Sequence, residues 1–305
     1  MTLAEAIALF LSSMKGVKAP ATMKWYRDRL KSLEKFAGEK TQIKNITVYH
    51  LRDWRASLSD RKNRYENHPT RPVKTGGLSR DTLHGYIRST RRFFAWLVEE
   101  NILSDNPSRR FEFPPTQKRP KAGISDLDRN AMLECAKIIP RDYAMLMFAA
   151  DTGCRAAGIA GLQMKELDLN RGRATVFEKG NGGNGKGRIV YFLCDTASAL
   201  RKWMLVRPEG SEFVFTNRYG GGLTVSGVYG MFKRTAIGAK TQGRWSPHQW
   251  RHWRARKWAQ RGMSLGIVAQ LLGHTDVKVT SEYYGAFADA DLQKSHEQYS
   301  GGGTL

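Results

Sequence analysis

Apolar residues recur at helical spacing through the first third of the chain. Leu3, Ile7, Leu11 and Met14 keep to one face of a first helix, and Thr2 and Glu5 stand at its start in the arrangement of a capping box. Met23, Tyr26, Leu30, Leu33 and Phe36 mark a second helix, with Gly38 placed to end it. A third begins near Thr47 and carries Val48, Leu51, Trp54 and Leu58. A fourth, capped by Ser79, runs through Leu83, Ile87, Phe94 and Leu97. Residues 60–77, polar and rich in Pro and Gly, read as a loop. The pattern predicts a four-helix domain over residues 1–112.

Pro114, Pro115 and Pro120 keep the stretch 113–122 extended, so it reads as a linker. A second domain, 123–290, opens at Ser125, an N-cap with Asp128 three residues on. Two helices are predicted there, followed by a hairpin with strands at 173–179 and 187–193. Helical patterns resume at Thr196, and residues 291–305 form a tail. The expected fold class is an α-helical N-terminal domain joined to an α+β domain that is mainly helical with a small antiparallel sheet. No apolar run approaches the ~18 residues of a membrane helix. The N-terminus, Met1-Thr2-Leu3-Ala4-Glu5, lacks the basic start of a secretory signal.

Charge narrows the class. Lys and Arg number 50 against 28 Asp and Glu, a net +22, divided as +10 over residues 1–115 and +12 over the remainder. A polyanion relieves self-repulsion on this scale, and two basic domains suit a protein that surrounds nucleic acid. Lys24, Arg27, Lys31, Arg88, Arg91 and Arg92 on the predicted helices, Lys118, Arg119 and Lys121 in the linker, and Lys186 in the hairpin loop could follow phosphates; singly, each of the helix charges is more often just a solvated one. Cys135, Cys154 and Cys194 are odd in number and contain no CxxC pair. That excludes a disulfide framework and a zinc ribbon, and it fits a reducing cytoplasm.

Two motifs come close and fail. Residues 180–187, Gly-Asn-Gly-Gly-Asn-Gly-Lys-Gly, approach a P-loop, but Gly187 stands where a magnesium-binding hydroxyl belongs and a strand follows instead of a helix. His248-Gln249-Trp250-Arg251-His252 approaches the zinc-protease HExxH, but Gln249 cannot take a proton and Arg251 would set a fixed charge beside the metal. The second segment suits an anion better. Ser246 and Pro247 start a helix, His248 and Arg251 share one face near its positive end, and a phosphate fits such a site.

Thr152-Gly153-Cys154-Arg155, His248-Gln249-Trp250-Arg251, Leu271-Leu272-Gly273-His274 and then Tyr283 resemble, in order and interval, the signature of the tyrosine recombinase (phage integrase) family. The resemblance covers about residues 122–290 by motif; the N-terminal domain resembles the family's core-binding domain by architecture and position. It implies a catalytic domain of tyrosine-recombinase type that cleaves and rejoins double-stranded DNA through a covalent 3′-phosphotyrosine, with no cofactor, metal or ATP. It further implies a homotetramer on two DNA sites, with accessory DNA-bending proteins an open addition, and a cytoplasmic, nucleoid-associated location. The residue chemistry agrees. Arg155 and Arg251 offer bidentate clamps for non-bridging oxygens, Tyr283 a nucleophile, and His248 and His274 proton relays. By resemblance Lys179 protonates the leaving 5′ oxygen; Lys186 is the alternative general acid, and Tyr284 the alternative nucleophile. The tail resembles segments that the family passes to a neighbouring subunit.

Two departures stand out. Where the family usually has an acidic residue three after the first arginine, this chain has Gly158, so support of the site must come from elsewhere. Where a small hydroxyl residue commonly follows the Arg-His pair stands Trp253, expected to pack beside Trp250 or Trp258. Type IB topoisomerase chemistry on a single duplex, and a catalytically idle DNA-binding regulator on the same fold, remain the competing readings.

Overall fold

The computed structural model describes residues 1–64, 72–115, 123–178 and 187–274. The chain divides into two units, Met1–Lys118 and Arg119–Leu305.

In the first unit, helix α1 (Leu3–Ser13) starts on its capping box: the Thr2 hydroxyl accepts from the Glu5 N–H at 3.2 Å, and the Glu5 carboxylate accepts from the Thr2 N–H at 2.8 Å. Helix α2 (Pro20–Ala37) ends on Gly38, α3 (Val48–Ser59) starts on Thr47, and α4 (Arg80–Glu99) starts on Ser79, whose hydroxyl accepts from Thr82 N–H. These four helices close around Phe10, which meets Tyr26 and Phe93 edge-on at 5.4 Å, together with Leu30, Leu33, Trp54, Ile87 and Phe94. Phe36, expected inward, is exposed; Ala37 fills the inward position of that last turn instead. The segment expected as a loop holds a two-residue ribbon, β1 (Asn63–Arg64) against β2 (Lys74–Thr75), too short and too exposed to show alternation in the sequence. The first linker residues lie on α4. The Pro114 carbonyl is 2.6 Å from His84 Nε2, the Pro115 carbonyl accepts from Arg80, and Arg91 stands over Phe113.

In the second unit, α5 (Asp126–Ala136) starts on Ser125 and α6 (Pro140–Thr152) crosses the core, packing against α8 (Cys194–Met204) and α10 (Pro247–Gln260). Between them come the five-residue α7 (Ala156–Ala160) and an antiparallel sheet in the order β3 (Leu167–Asp168), β4 (Arg173–Phe177), β5 (Gly187–Tyr191). Helices α9 (Val225–Gly238) and α11 (Leu265–Leu272) complete the unit. Met145, Phe148, Ile159, Leu200, Phe215, Phe232 and Trp250 form the core, and Trp253 joins it, its indole N–H donating to Asp126 at 2.6 Å. No described helix is long and apolar enough to cross a membrane.

The sheet differs from the expected hairpin. A third strand, β3, joins it, and β4 and β5 end two residues early, at Phe177 and Tyr191. Helix α8 begins at Cys194, ahead of Thr196, because Asp151 on α6 accepts from the Leu193 N–H at 2.9 Å and the Thr196 hydroxyl at 2.7 Å. The other Asp151 oxygen accepts from Arg254 Nη2 at 2.7 Å, with the two side chains 12% and 11% exposed. Asp151 thus joins α6, α8 and α10. Removing one member of a buried pair strands the other's charge, so Asp151→Ala is expected to lower stability by about 3–5 kcal/mol. Asp151→Asn, which still offers an acceptor to Leu193 N–H, should lose less. Urea unfolding of both variants checks this, and a loss below ~1 kcal/mol for the alanine variant would remove Asp151 from that role.

Candidate active site

Helix α6 stops where Gly153 turns left-handed (φ 59°), and Thr152 braces the turn by accepting from Cys154 N–H. The turn delivers Arg155 to the N-cap of α7, with its side chain 34% exposed. Helix α11 stops in the same way on Gly273 (φ 66°) and delivers His274. Arg251 points inward from the first turns of α10 and is 1% exposed. Its Nη1 donates to the Gly153 carbonyl at 2.9 Å and its Nη2 to the Leu272 carbonyl at 2.5 Å, so one guanidinium ties both helix ends together. Ser246 occupies the N-cap of α10, but its hydroxyl makes no capping bond. Pro247 at the first position leaves one fewer N–H to satisfy there.

A second pair of side chains completes the cluster. The register sets Arg188 opposite Val176 and Val190 opposite Ala174, which turns Arg188 toward the core-facing side of the sheet. Arg188 donates to the Leu271 carbonyl and, at 3.0 Å, to Glu178 Oε1. Glu178, its side chain 6% exposed, also accepts from the Arg155 N–H and the Arg155 Nη1, each at 2.6 Å, and lies 3.9 Å from Arg251 Nη1. Burial alone would raise the Glu178 carboxyl. The Arg188 charge, the Arg155 N–H, and the Arg251 and Arg155 charges outweigh it and hold the group below the usual carboxylate range. Within these four side chains, three guanidiniums face one carboxylate. The set therefore carries an excess of positive charge at a place where Arg155 is open to solvent. A set of this kind has the chemistry to receive an anion.

The comparisons with known proteins decide the family. The model of the "Phage integrase family" matches residues 128–289, and that of the "Phage integrase, N-terminal SAM-like domain" matches residues 7–101. The chain belongs to the phage integrase family. It is 28% identical over 237 residues to tyrosine recombinase XerD of Oceanobacillus iheyensis, covering 74% of this chain and 78% of that one. It is 30% identical over 218 residues to tyrosine recombinase XerD of Listeria monocytogenes, covering 68% and 72%. Its fold is that of the Tn1549 transposon integrase solved with transposon right end DNA (TM-score 0.78, 18% identity, 98% and 100% covered). The chain is thus an enzyme of the tyrosine-recombinase class, which cleaves and rejoins DNA.

Of the residues anticipated for an integrase of this kind, the structure brings Arg155, Arg251 and His274 together. His248 lies one turn before Arg251 on α10, exposed, with its ring 4.8 Å from that of the buried His252. Lys179, Lys186, Tyr283, Tyr284, the tail, and the linker residues Lys118, Arg119 and Lys121 lie outside the described residues. Lys24, Arg27, Arg88, Arg91 and Arg92 are all on the surface of the first unit. Sequence reasoning missed Glu178 and Arg188. The one available signal was Gly158, whose missing carboxylate called for a substitute.

Burial pushes the His274 imidazole down, and the Arg251, Arg155 and Arg188 charges push it further, to about 4, against an opposing influence from Glu178. The folded site therefore holds His274 neutral at pH 7. Between about 6.5 and about 4 the unfolded chain binds this proton and the folded chain does not. His274 accordingly favours the fold above pH 6.5, and that contribution is lost as pH falls toward 4. Denaturation midpoints between pH 7 and 4 are expected to fall less steeply in His274→Gln than in the parent; superimposable pH profiles would refute the assignment.

Proposed function

We propose that this chain is a site-specific recombinase of double-stranded DNA that works through a covalent 3′-phosphotyrosyl intermediate on Tyr283. The observation that carries the reading is the convergence of Arg155, Arg251 and Arg188 on a single carboxylate beside a neutral His274, at the place where the family's separated motifs meet. A scissile phosphate entering this receptor brings the negative charge that the cluster lacks. Arg155, the exposed member, takes a non-bridging oxygen, and Arg251 holds the α6 and α11 ends that set the pocket's shape. The Tyr283 oxygen attacks phosphorus, the P–O5′ bond breaks, and Lys179 gives its proton to the leaving oxygen. An incoming phosphate offsets the arginine charges that depress His274, so the imidazole gains basicity when DNA is bound and can take the phenol proton. The phosphotyrosine retains the bond energy, so rejoining needs no ATP, and fixed guanidiniums supply the charge stabilisation that a metal provides elsewhere. Strand exchange between two duplexes then requires a tetramer on two sites. A cytoplasmic, nucleoid-associated location accompanies this reading. Lys24, Arg27, Arg88, Arg91 and Arg92, with Lys118, Arg119 and Lys121, would follow the flanking phosphates.

Tyr283→Phe removes one oxygen and little volume. DNA binding and folding are expected to persist while the covalent adduct on a nicked substrate disappears, as seen by denaturing gel. An adduct retained in Tyr283→Phe and lost in Tyr284→Phe moves the nucleophile by one residue, and a parent that forms no adduct is the idle DNA-binding protein. Relaxation of a supercoiled plasmid without exchange between two sites would favour the topoisomerase reading.

The general acid is tested with a substrate whose 5′ bridging oxygen is sulfur, which leaves without a proton. Cleavage by Lys179→Ala should be restored on it; restoration of Lys186→Ala instead assigns the role to Lys186.

A further inference from the structure

We propose that Glu178 is the positioning residue that orients Arg155 and Arg188, delivering from the end of β4 a carboxylate that this pocket could equally receive from α7 at position 158. The proposal rests on the recombinase reading above. Gly158 lies on α7, three residues after Arg155, and a Cβ built on it would stand 3.0 Å from Glu178 Cγ and 3.1 Å from Glu178 Oε1. Any side chain at 158 therefore enters the space that the Glu178 carboxylate fills. The two positions compete for one pocket, and the three guanidiniums around it call for one counter-charge. The bare α7 position and the buried acid on the strand are in this view one feature. Glu178 is distinguished from an ordinary buried partner by what it grips. One oxygen accepts from both the Arg155 backbone N–H and Arg188 Nη2, while the other accepts from Arg155 Nη1. Backbone and side chain of the same arginine are fixed by one group, which sets the direction in which the remaining guanidinium N–H groups face.

The reciprocal exchange tests this on the full-length protein with a nicked DNA site. Glu178→Gln keeps the shape and removes the charge. Its affinity for uncleaved DNA is expected to stay within about threefold of the parent while single-turnover cleavage falls by roughly 100-fold, the scale of a lost electrostatic contact. Glu178→Ala should be at least as slow. Gly158→Glu in the Glu178→Ala background should regain cleavage to within about tenfold of the parent, whereas Gly158→Glu alone, with two carboxylates in one pocket, should be less stable and slower. Parent-like cleavage by Glu178→Gln overturns the proposal. So does an exchanged variant that folds and binds DNA but cleaves no faster than Glu178→Ala; should neither alanine-background variant fold, the isosteric Gln variant decides alone. A parent that forms no adduct overturns the recombinase reading and this proposal with it, while a parent adduct without the predicted losses or rescue overturns this proposal only.

Discussion

Three guanidiniums cannot be gathered inside a protein without something negative to hold them, and the second unit is arranged around meeting that requirement. Only part of the counter-charge is the Glu178 carboxylate. The rest comes from backbone: the Gly153 carbonyl closes α6, and the Leu271 and Leu272 carbonyls end α11. C-terminal carbonyls carry no partner within their own helix and sit at the negative end of its dipole. Arginines that satisfy these carbonyls stabilise two helix ends, and the helix ends stabilise the arginines. This explains why both helices stop on left-handed glycines, Gly153 and Gly273, at the rim of the site. A Cβ on the first would meet Leu272 at 2.9 Å, and one on the second would meet Arg188 at 2.7 Å.

The arrangement divides labour between like residues. Arg251 is enclosed and donates to two backbone carbonyls, while Arg155 keeps about a third of its side chain open to solvent. Cys154 sits beneath them, fully buried. Burial, together with the charge of Glu178, pushes its thiol up to about 11, so it packs as a small apolar residue and takes no part as a nucleophile. Burying charge is costly, and the desolvation of a buried ion pair can exceed its mutual attraction. The cluster is therefore poorly explained as a device for stability, and well explained as a pre-formed receptor whose donors are already aimed before an anion arrives.

Most of the helices were legible because their ends carry side-chain chemistry as well as periodicity. Thr2, Thr47, Ser79 and Ser125 all cap where their spacing to an apolar stripe places them. Helix α7 was not legible, since five residues make little more than one turn and show no period. The site was half legible. Arg155, Arg251 and His274 belong to ordered motifs, but Arg188 was hidden by the pleat. In Gly187-Arg188-Ile189-Val190-Tyr191, period-two alternation permits either face to be the buried one. The apolar Ile189 and Tyr191 point to solvent while Arg188 turns inward. An inward arginine is recognisable only once its carboxylate partner is known, and Glu178 stands across the hairpin on the other strand's end.

The first unit meets its charge by a different rule. Lys24 pairs with Asp28 at 3.2 Å and Arg92 with Glu99 at 2.8 Å, all four side chains being about half exposed or more. Exposed pairs of this kind contribute about 0–1 kcal/mol, because water already solvates both partners. Such a pair gives up its acidic partner at little cost. Buried in the second unit, the same residue types form a fixed geometry, each guanidinium held by the Glu178 carboxylate or by helix-end carbonyls. At the surface of α2 and α4 they form a labile one, in which water competes with each partner for the other.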